Sequence, residues 1–336
     1  MRHSSITAIC MLVWSFSHAQ LQRQSFTRSK MGAPFTVIMY TTDTAQANRA
    51  AEGSFALVDS LVNIFSDYID SSELNRLCAA GGSNRPPFKC SPALFNLLLL
   101  SADAWKKSEG RFDITLGPVT RLWRKARKEK KFPDAATVQQ QLARTGFNKI
   151  TLDSIQHTAQ LSSPDMQLDA GGIAQGYIAQ QVIDYLGTLQ IANALVDVSG
   201  DIVCTGKPPG TRGWTVAVNF PESNAALLPK QLLISNTAVT TSGDVYQYMD
   251  YNGKRYSHIV DPATGYGITS QRNVTVIAAD GTLADWLTKA CSLLPVAKAK
   301  KLARRLHAEV LITTLKNDKL VKYMSAGFAA YWKTKE

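Results

Sequence analysis

Two adjacent glycines, Gly171 and Gly172, lie between an extended segment and a predicted helix, and this arrangement is one that binds phosphate. Glycine has no Cβ, so a ligand can come close to its backbone. The first turn of a helix also has N–H groups without intrahelical partners, at the positive end of the helix dipole. Because glycine pairs before helices are often plain turns, the pair indicates a phosphate site only in combination with other residues.

His258 is the histidine best placed to move a proton, since the other four lie in the predicted leader or in polar and basic surroundings away from any motif. It ends the second strand of a predicted hairpin, beside the turn Asp261-Pro262, which would hold its side chain at a rim. The alternative is a histidine with only a structural role on an edge strand.

Asp285 and Thr288 place a carboxylate and a hydroxyl one turn apart on a predicted helix. Oxygen ligands of this kind are the ones that Mg²⁺ prefers, so the pair is a start for a magnesium site. The alternative is that Asp285 opens the helix and only favours its N-terminus.

The elements that must position these residues follow from hydrophobic periodicity. Helices are predicted at 45–65, 92–109, 137–144, 282–294, 296–307 and from the glycine pair to Gly187, with a loop at 66–77 and a further helix start at Gly117-Pro118. Strands are predicted at 35–40, 194–198, 201–205, 214–220, 231–235 and 273–278, with hairpins at 246–260, around Asn252-Gly253, and at 310–324. This order predicts a mixed α+β fold with antiparallel-rich sheets flanked by helices. The chain would form one compact unit, which has room for two lobes.

The composition is that of a globular protein, with 336 residues, 45% hydrophobic and 19% charged, and a net charge of +11. The densest basic run is RLWRKARKEKK, residues 121–131. A run of this kind is found in proteins that bind nucleic acid or anionic lipid. Since Trp123 and its apolar neighbours give the run an inward side and no DNA-binding motif accompanies it, we interpret it as a solvated helix face and expect no nucleic-acid partner.

Residues 1–19 are typical of a secretory leader, with a charged start, a short apolar run and a Ser-His-Ala ending. We therefore expect cleavage before Gln20, a mature domain spanning 20–336, export to the periplasm and no transmembrane segment in the mature chain. Cys78 and Cys90 could form a disulfide in an oxidising compartment, whereas Cys204 and Cys291 are predicted core residues.

A set of motifs, taken in order, resembles one family, the FAD:protein FMN transferases or ApbE family. The motifs are Met31-Gly32, SDYIDSSELNRL (66–77), GRFDITLGPVTRLW (110–123), LDAGGIAQGY (168–177), VDVSGDIVCTGK (196–207), TSGD (241–244), YSHIVDPATG (256–265) and Ala284-Asp285. Each motif is weak alone, but together they cover most of the predicted mature chain.

The resemblance implies an ApbE-like fold and an enzyme that moves the FMN half of FAD onto a threonine of an acceptor flavoprotein with an FMN-binding domain, with release of AMP and with Mg²⁺ as cofactor. It assigns contacts with FAD to Met31, Tyr68, Arg111, Phe112, Asp113, Asp169, Gln175 and Ile259. It assigns metal ligation to the carbonyl near Gly172, to Asp285 and to a hydroxyl one turn later. It makes His258 the general base for the acceptor threonine, since an unperturbed imidazole has a pKa of about 6.5.

Two residues depart from the family's usual pattern. Gln175 stands where many members have lysine, and Lys289 stands where the usual threonine follows the metal aspartate. We expect Thr288 to complete the metal site. The alternative is that the ammonium of Lys289 supplies part of the charge that the metal would otherwise give.

Three other functions compete with transfer from the sequence alone. One is an FAD pyrophosphatase that gives FMN and AMP to water, and another is an exported flavin-binding protein without turnover. A Rossmann dehydrogenase is disfavoured because the glycines do not follow G-x-G-x-x-G.

Overall fold

The structure is a computed structural model that describes residues 20–221, 227–243, 247–316 and 319–333. The predicted leader, residues 1–19, and Asp244 of the TSGD motif lie outside these ranges, so the structure does not test them.

An eight-stranded sheet forms the centre of the fold, in the order β1-β2-β6-β7-β10-β13-β14-β15. Smaller sheets are made by β3-β5-β4, by β8-β9 and by β11-β12, and every pairing among the described strands is antiparallel. The strands are β1 Gln22–Lys30, β2 Ala33–Thr41, β3 Phe88–Lys89, β4 Ile150–Asp153, β5 Thr158–Leu161, β6 Ala194–Val198, β7 Asp201–Thr205, β8 Trp214–Pro221, β9 Leu227–Ile234, β10 Thr237–Gly243, β11 Tyr248–Tyr251, β12 Lys254–Ser257, β13 Arg272–Ala278, β14 Glu309–Lys316 and β15 Lys319–Met324.

Helices cover one face of the main sheet, and the hairpin β8-β9 covers the other. Alternation along a strand separates the two cores: Val274 and Val276 of β13 face the helices, whereas Ile277 packs with the hairpin. The helices are α1 Thr44–Phe65, α2 Glu73–Ala79, α3 Pro92–Lys107, α4 Gly117–Glu129, α5 Ala135–Leu142, α6 Ala174–Thr188, α7 Gly281–Leu293 and α8 Val296–Arg305. The predicted α+β class with antiparallel sheets is confirmed.

A third, smaller apolar cluster joins α4 to the hairpin β11-β12. Trp123 of α4 is buried against Tyr256 of β12, and its indole N–H donates to the carbonyl of Gly265 at 2.8 Å. The hairpin turns at Asn252 and Gly253, which have φ values of 48° and 71°, as a two-residue turn of this kind requires. This cluster fixes the loop after β12, and therefore His258, against the basic helix α4.

Several local predictions were wrong. The segment 66–77 is not all loop, since Ser72 caps α2 by accepting a hydrogen bond from the N–H of Asn75. Gly187 lies inside the last turn of α6 and does not end it. Asp285 does not open α7, because Asp280 caps that helix and Asp285 lies in its second turn. Strands β1, β3 and β5 were not predicted.

All four cysteines of the described chain are buried free thiols. The proposed disulfide between Cys78 and Cys90 is therefore absent, whereas the core positions predicted for Cys204 and Cys291 are confirmed. The thiol of Cys78 instead accepts a hydrogen bond of 3.3 Å from the N–H of Leu168, and burial raises its pKa to about 11. No helix within the described ranges combines the length and the apolar character needed to cross a membrane.

Candidate active site

A cleft of about 230 Å³ collects residues from motifs that lie far apart in the sequence. It runs between the loop before α2, the segment before α4 and one face of α4, the glycine pair before α6, the segment after β12 and the last turns of α7. The predicted site residues that line it are Tyr68, Arg111, Phe112, Asp113, Asp169, Gly172, His258 and Ile259. The sequence motifs therefore converge on one place.

Arg124 of α4 joins two acidic residues on one wall of the cleft. Its guanidinium donates to Asp169 Oδ2 at 2.9 Å and also to Asp67. The guanidinium lies 4.5 Å from the centroid of the Tyr68 ring. Tyr68 stands at the rim of the cleft and is 76% exposed. Burial and the charge of Asp169 raise the pKa of Asp67, and Arg124 opposes that rise. An exposed ring held by a cation offers a stacking platform for a flat aromatic ligand.

Asp169 connects this cation to the glycine pair. Its Oδ1 accepts from the N–H of Gly171 at 2.8 Å, and its Oδ2 also accepts from the hydroxyl of Thr120 at 2.7 Å. The N–H of Gly172 has no hydrogen-bond partner within the described part of the chain and lies on the cleft. A Cβ on residue 172 would lie 3.2 Å from the ring of Phe112, so the absence of a side chain lets the two segments approach.

Asp113 serves the local structure although it borders the cleft. Its Oδ1 accepts from the N–H and the hydroxyl of Thr115, and its Oδ2 accepts from the N–H of Phe147. Burial raises the pKa of Asp113, while these hydrogen bonds oppose the rise. Arg111 is tied to Asp261 at 3.1 Å, which links the segment before α4 to the loop that follows His258.

His258 is half-buried and has a defined tautomer. Its Nδ1 lies 3.1 Å from the carbonyl oxygen of Gln247, and because a carbonyl only accepts, Nδ1 carries the hydrogen. Nε2 is then left with a lone pair, as a proton acceptor requires. Burial lowers the pKa of His258 to about 4, so the expected value near 6.5 was wrong for the folded protein. The imidazole is neutral at pH 7 and able to accept a proton, with a weaker basicity than free histidine.

Two glycines bring α6 and α7 into direct backbone contact. A Cβ on Gly176 would lie 2.1 Å from the carbonyl oxygen of Gly281, and a Cβ on Gly281 would lie 2.4 Å from the carbonyl oxygen of Gly176. This approach places Asp285, which is fully buried, beside the start of α6. The carboxylate Oδ2 accepts from the N–H of Gly176 at 3.0 Å. A buried carboxylate at a helix start is stabilised by the positive end of that helix.

Lys289 provides the charge that balances Asp285. Its Nζ lies 2.5 Å from Asp285 Oδ1, with 21% of the lysine side chain exposed towards the cleft. Burial by itself would lower the pKa of Lys289. The negative charges of Asp285 and Asp201 have the larger combined effect, so the pKa of Lys289 is raised. Burial, followed by the charge of Asp285, raises the pKa of Asp201 to about 7. A protonated lysine therefore lies among buried acidic residues at the inner end of the cleft.

The residues assigned to magnesium do not form an open set of ligands. Both oxygens of Asp285 have partners, in Lys289 and in Gly176. The hydroxyl of Thr288 donates to the carbonyl of Asp285 at 2.7 Å and lies 2.7 Å from the hydroxyl of Ser242. Within the described ranges no three His, Cys, Asp or Glu side chains cluster as metal ligands do. The donor set therefore does not fit a divalent ion while Lys289 holds this position.

Four predicted site residues lie outside the cleft lining: Met31, Gln175, Asp285 and Thr288. Met31 occupies the turn between β1 and β2 with a φ of 53° and packs against the core. Gln175 is half-buried in the first turn of α6. Asp285 and Thr288 lie beneath the cleft, with Lys289 between Asp285 and the open space.

Sequence reasoning missed the cations of α4, which it had assigned to a solvated face. Lys125, Lys128, Lys130 and Lys131 are exposed as expected, but Arg124 and Arg127 line the cleft. The spacing of Thr120, Arg124 and Arg127 is a signal that could have found them, because positions i, i+4 and i+7 share one helix face. Asp201, which influences the charges around Lys289, was quoted in a motif but not assigned a role.

A larger groove of about 680 Å³ lies elsewhere, between α8 and the strands β14 and β15. Its lining includes Lys300, Lys301 and Arg304 but none of the motif residues. We place the candidate active site in the smaller cleft because the glycine pair, the histidine and the exposed tyrosine meet there. That combination of cations, free N–H and aromatic surface suits a ligand with phosphate and an aromatic ring system.

Comparisons with known proteins agree with the fold and the motifs. A sequence profile of the ApbE family matches residues 31–312. A curated relative from Klebsiella pneumoniae, named FAD:protein FMN transferase, is 30% identical over 296 residues, which cover 88% of this chain and 90% of the relative. A relative of the same name from Haemophilus influenzae is 28% identical and covers 98% of this chain and 99% of its own. The chain belongs to the ApbE family.

Solved structures show the same fold. The flavinyl transferase ApbE of Pseudomonas stutzeri, in its apo form, superposes with a TM-score of 0.83 at 26% identity, covering 96% of this chain and all of that one. The flavin transferase ApbE of Vibrio cholerae gives a TM-score of 0.82 at 24% identity, covering 93% of this chain and 99% of its own. The expected ApbE-like fold is confirmed.

Proposed function

We propose that this protein is an FAD:protein FMN transferase, which moves the FMN moiety of FAD onto a hydroxyl of an acceptor flavoprotein and releases AMP. The observation that carries the proposal is the convergence of Tyr68, Gly172 and His258 on one basic cleft. The curated relatives, which are named FAD:protein FMN transferases, support the same activity.

The reaction exchanges the phosphoanhydride bond of the FAD diphosphate for a phosphoester bond to the acceptor. The acceptor hydroxyl oxygen bonds to the phosphorus of the FMN half, the bond from that phosphorus to the bridging oxygen breaks, and this oxygen leaves as part of the AMP phosphate. The hydroxyl proton passes to a base. No electrons are gained or lost, so positioning and stabilisation of charge are what the protein must supply.

The residues of the cleft fit these requirements. Arg127 and Lys289 place positive charge along the cleft, and the free N–H of Gly172 can donate to a phosphate oxygen. Tyr68 offers its exposed ring to one aromatic end of the dinucleotide, held in place by Arg124. His258 receives the proton of the acceptor hydroxyl on Nε2, since Nδ1 is engaged with Gln247.

A threonine as the acceptor and periplasmic export belong to this proposal on the strength of the family resemblance and of the predicted leader. The resemblance also implies magnesium as a cofactor, which the residues around Asp285 do not fit. Magnesium would supply charge and orientation at the diphosphate if it bound. Asp285 and Thr288, the side chains that the resemblance assigns to it, already have partners within the protein.

The test is incubation of the protein with FAD and an acceptor flavoprotein domain, followed by intact-mass measurement of the acceptor. A matched acceptor with valine in place of its target threonine serves as the control. Transfer predicts that the parent acceptor, and not the valine variant, gains the mass of FMN less one water. Free FMN and AMP beside an unmodified acceptor would instead identify a pyrophosphatase, and unchanged FAD would indicate a flavin-binding protein without turnover.

A further inference from the structure

The side chain of Lys289 occupies the space between Gly172 and Asp285, where the family resemblance places a metal ion. A Cβ on Gly172 would lie 3.4 Å from Cγ of Lys289 and 3.7 Å from its Cε, so the lysine stem passes directly beside the glycine. The stem ends with Nζ at 2.5 Å from Asp285 Oδ1. The lysine is therefore between two of the three residues assigned to the metal.

The surroundings of Lys289 hold its ammonium in place. Asp285 is fully buried and Asp201 is 7% exposed, so the two carboxyl groups that interact with the lysine are both shielded from water. The other oxygen of Asp285 is fixed by the N–H of Gly176. A divalent ion at Asp285 would have to displace the ammonium or lie next to it, and either arrangement costs electrostatic free energy.

We propose that Lys289 is the built-in cation of this active site and that the protein transfers FMN without a divalent ion at Asp285. The inference rests on the proposed function. The side chain of Lys289 lines the cleft and Asp285 does not, so the lysine lies between the buried carboxylate and the space available to the diphosphate. A fixed cation there stabilises the charge that develops on departing AMP without any change in metal coordination. It offers charge and donors but no ligand exchange.

Metal binding tests this inference without any transfer reaction. Mn²⁺ is titrated into the metal-free parent, into Lys289→Thr and into Lys289→Met, with electron paramagnetic resonance as the readout. The threonine variant restores a hydroxyl where the family has one, and the methionine variant removes the charge without adding a ligand. We expect Lys289→Thr to bind Mn²⁺ at least about tenfold more tightly than either the parent or Lys289→Met, the scale on which neighbouring groups change metal affinity.

Transfer in the presence of EDTA or Mg²⁺ provides the second readout. The parent should transfer FMN at the same rate in both. Lys289→Thr should lose on the order of 10²-fold in EDTA, the scale for loss of one electrostatic stabiliser, and recover with Mg²⁺. Lys289→Met should show the same loss without recovery, which separates removal of the charge from removal of a metal.

Two results would overturn the inference: tight Mn²⁺ binding by the parent that Asp285→Asn removes, or abolition of parental transfer by EDTA.

Because Lys289→Met leaves a buried carboxylate unpaired, the double variant Asp285→Asn/Lys289→Met provides a neutral pair if the single variant does not fold. This double variant should bind no Mn²⁺ and should transfer FMN slowly both in EDTA and in Mg²⁺. If Mg²⁺ restored its transfer rate, the inference would be contradicted. If the parent modifies no acceptor in either medium, the proposed function fails, while the Mn²⁺ titration still decides the role of Lys289.

Discussion

The N–H of Gly176 donates to the carboxylate of Asp285 at 3.0 Å, which joins the start of α6 to α7 across 109 positions of the sequence. The hydrogen bond depends on the contact between Gly176 and Gly281, because only residues without side chains allow the two helix backbones to come so close. The start of α6, which directly follows the glycine pair, is thereby held against the ion pair of Asp285 with Lys289.

Gly176→Ala should destabilise the fold, because its Cβ would lie 2.1 Å from the carbonyl oxygen of Gly281. Overpacking of this kind costs about 1–3 kcal/mol or more in the free energy of unfolding. Urea denaturation measures the loss. Gly187→Ala in the same helix is the matched control, since a Cβ there meets nothing within 4 Å and should stabilise the helix by up to about 1 kcal/mol. Equal stability of the two variants would contradict the close contact.

Replacement of Arg124 by methionine should expose the repulsion between Asp67 and Asp169. Loss of hydrogen bonds to charged groups costs about 1.5–3 kcal/mol, so the free energy of unfolding should fall by that amount at pH 7. The pKa of Asp67, already raised by burial and by Asp169, should rise further, so the loss should shrink as the pH falls and the carboxyl is protonated. Lys125→Met, at an exposed position on the same helix, is the control and should have no such effect.

His258→Ala should lower the rate of FMN transfer by on the order of 10²-fold or more, the scale of general base catalysis, while FAD affinity stays unchanged. His307→Ala, at an exposed position outside the cleft, is the control and should transfer normally. Transfer by His258→Ala at the parental rate would leave His258 with a structural role only.

The pH dependence of transfer follows from the lowered pKa of His258. Burial favours the neutral imidazole, so the proton acceptor remains available from neutral pH down to a pH of about 4. The rate profile of the parent should therefore show its acidic limb near pH 4, provided that the fold persists there by circular dichroism. A limb near the unperturbed pKa of about 6.5 would contradict the buried environment of the ring.

The predicted leader is tested by the N-terminus of the protein recovered from its native cell envelope. A charged start, a short apolar run and the ending Ser-His-Ala predict a mature chain that begins at or near Gln20. Edman sequencing or terminal-peptide mass spectrometry gives the answer. An intact Met1 on the envelope protein would reject the cleavage site.

Much of the fold was predictable from local patterns, because alternation and turn chemistry act over a few residues. The strands β6 and β7 have the predicted bounds, and Asn252-Gly253 makes the predicted hairpin turn. The short strands β3 and β5 were not predicted, because only two and four residues form them.

Most residues that line the cleft were predictable from motifs, whereas the cations of α4 and the energetics of the site were not. His258 and Asp169 were identified through motifs, but the role of Arg124 depends on two carboxylates that lie 57 and 45 positions away. The lowered pKa of His258 and the ion pair of Lys289 depend on burial, which follows from how the helices pack and not from any local sequence pattern.

The most direct test of FMN transfer is a single-turnover reaction in which AMP and covalently bound flavin are measured in the same sample. The protein, in excess over FAD, is mixed with the acceptor domain, and AMP is quantified by chromatography beside the flavin fluorescence of the denatured acceptor. Transfer predicts equal amounts of AMP and covalent flavin at every time point. AMP released with equal free FMN, while the acceptor carries no covalent flavin, would contradict the proposed function.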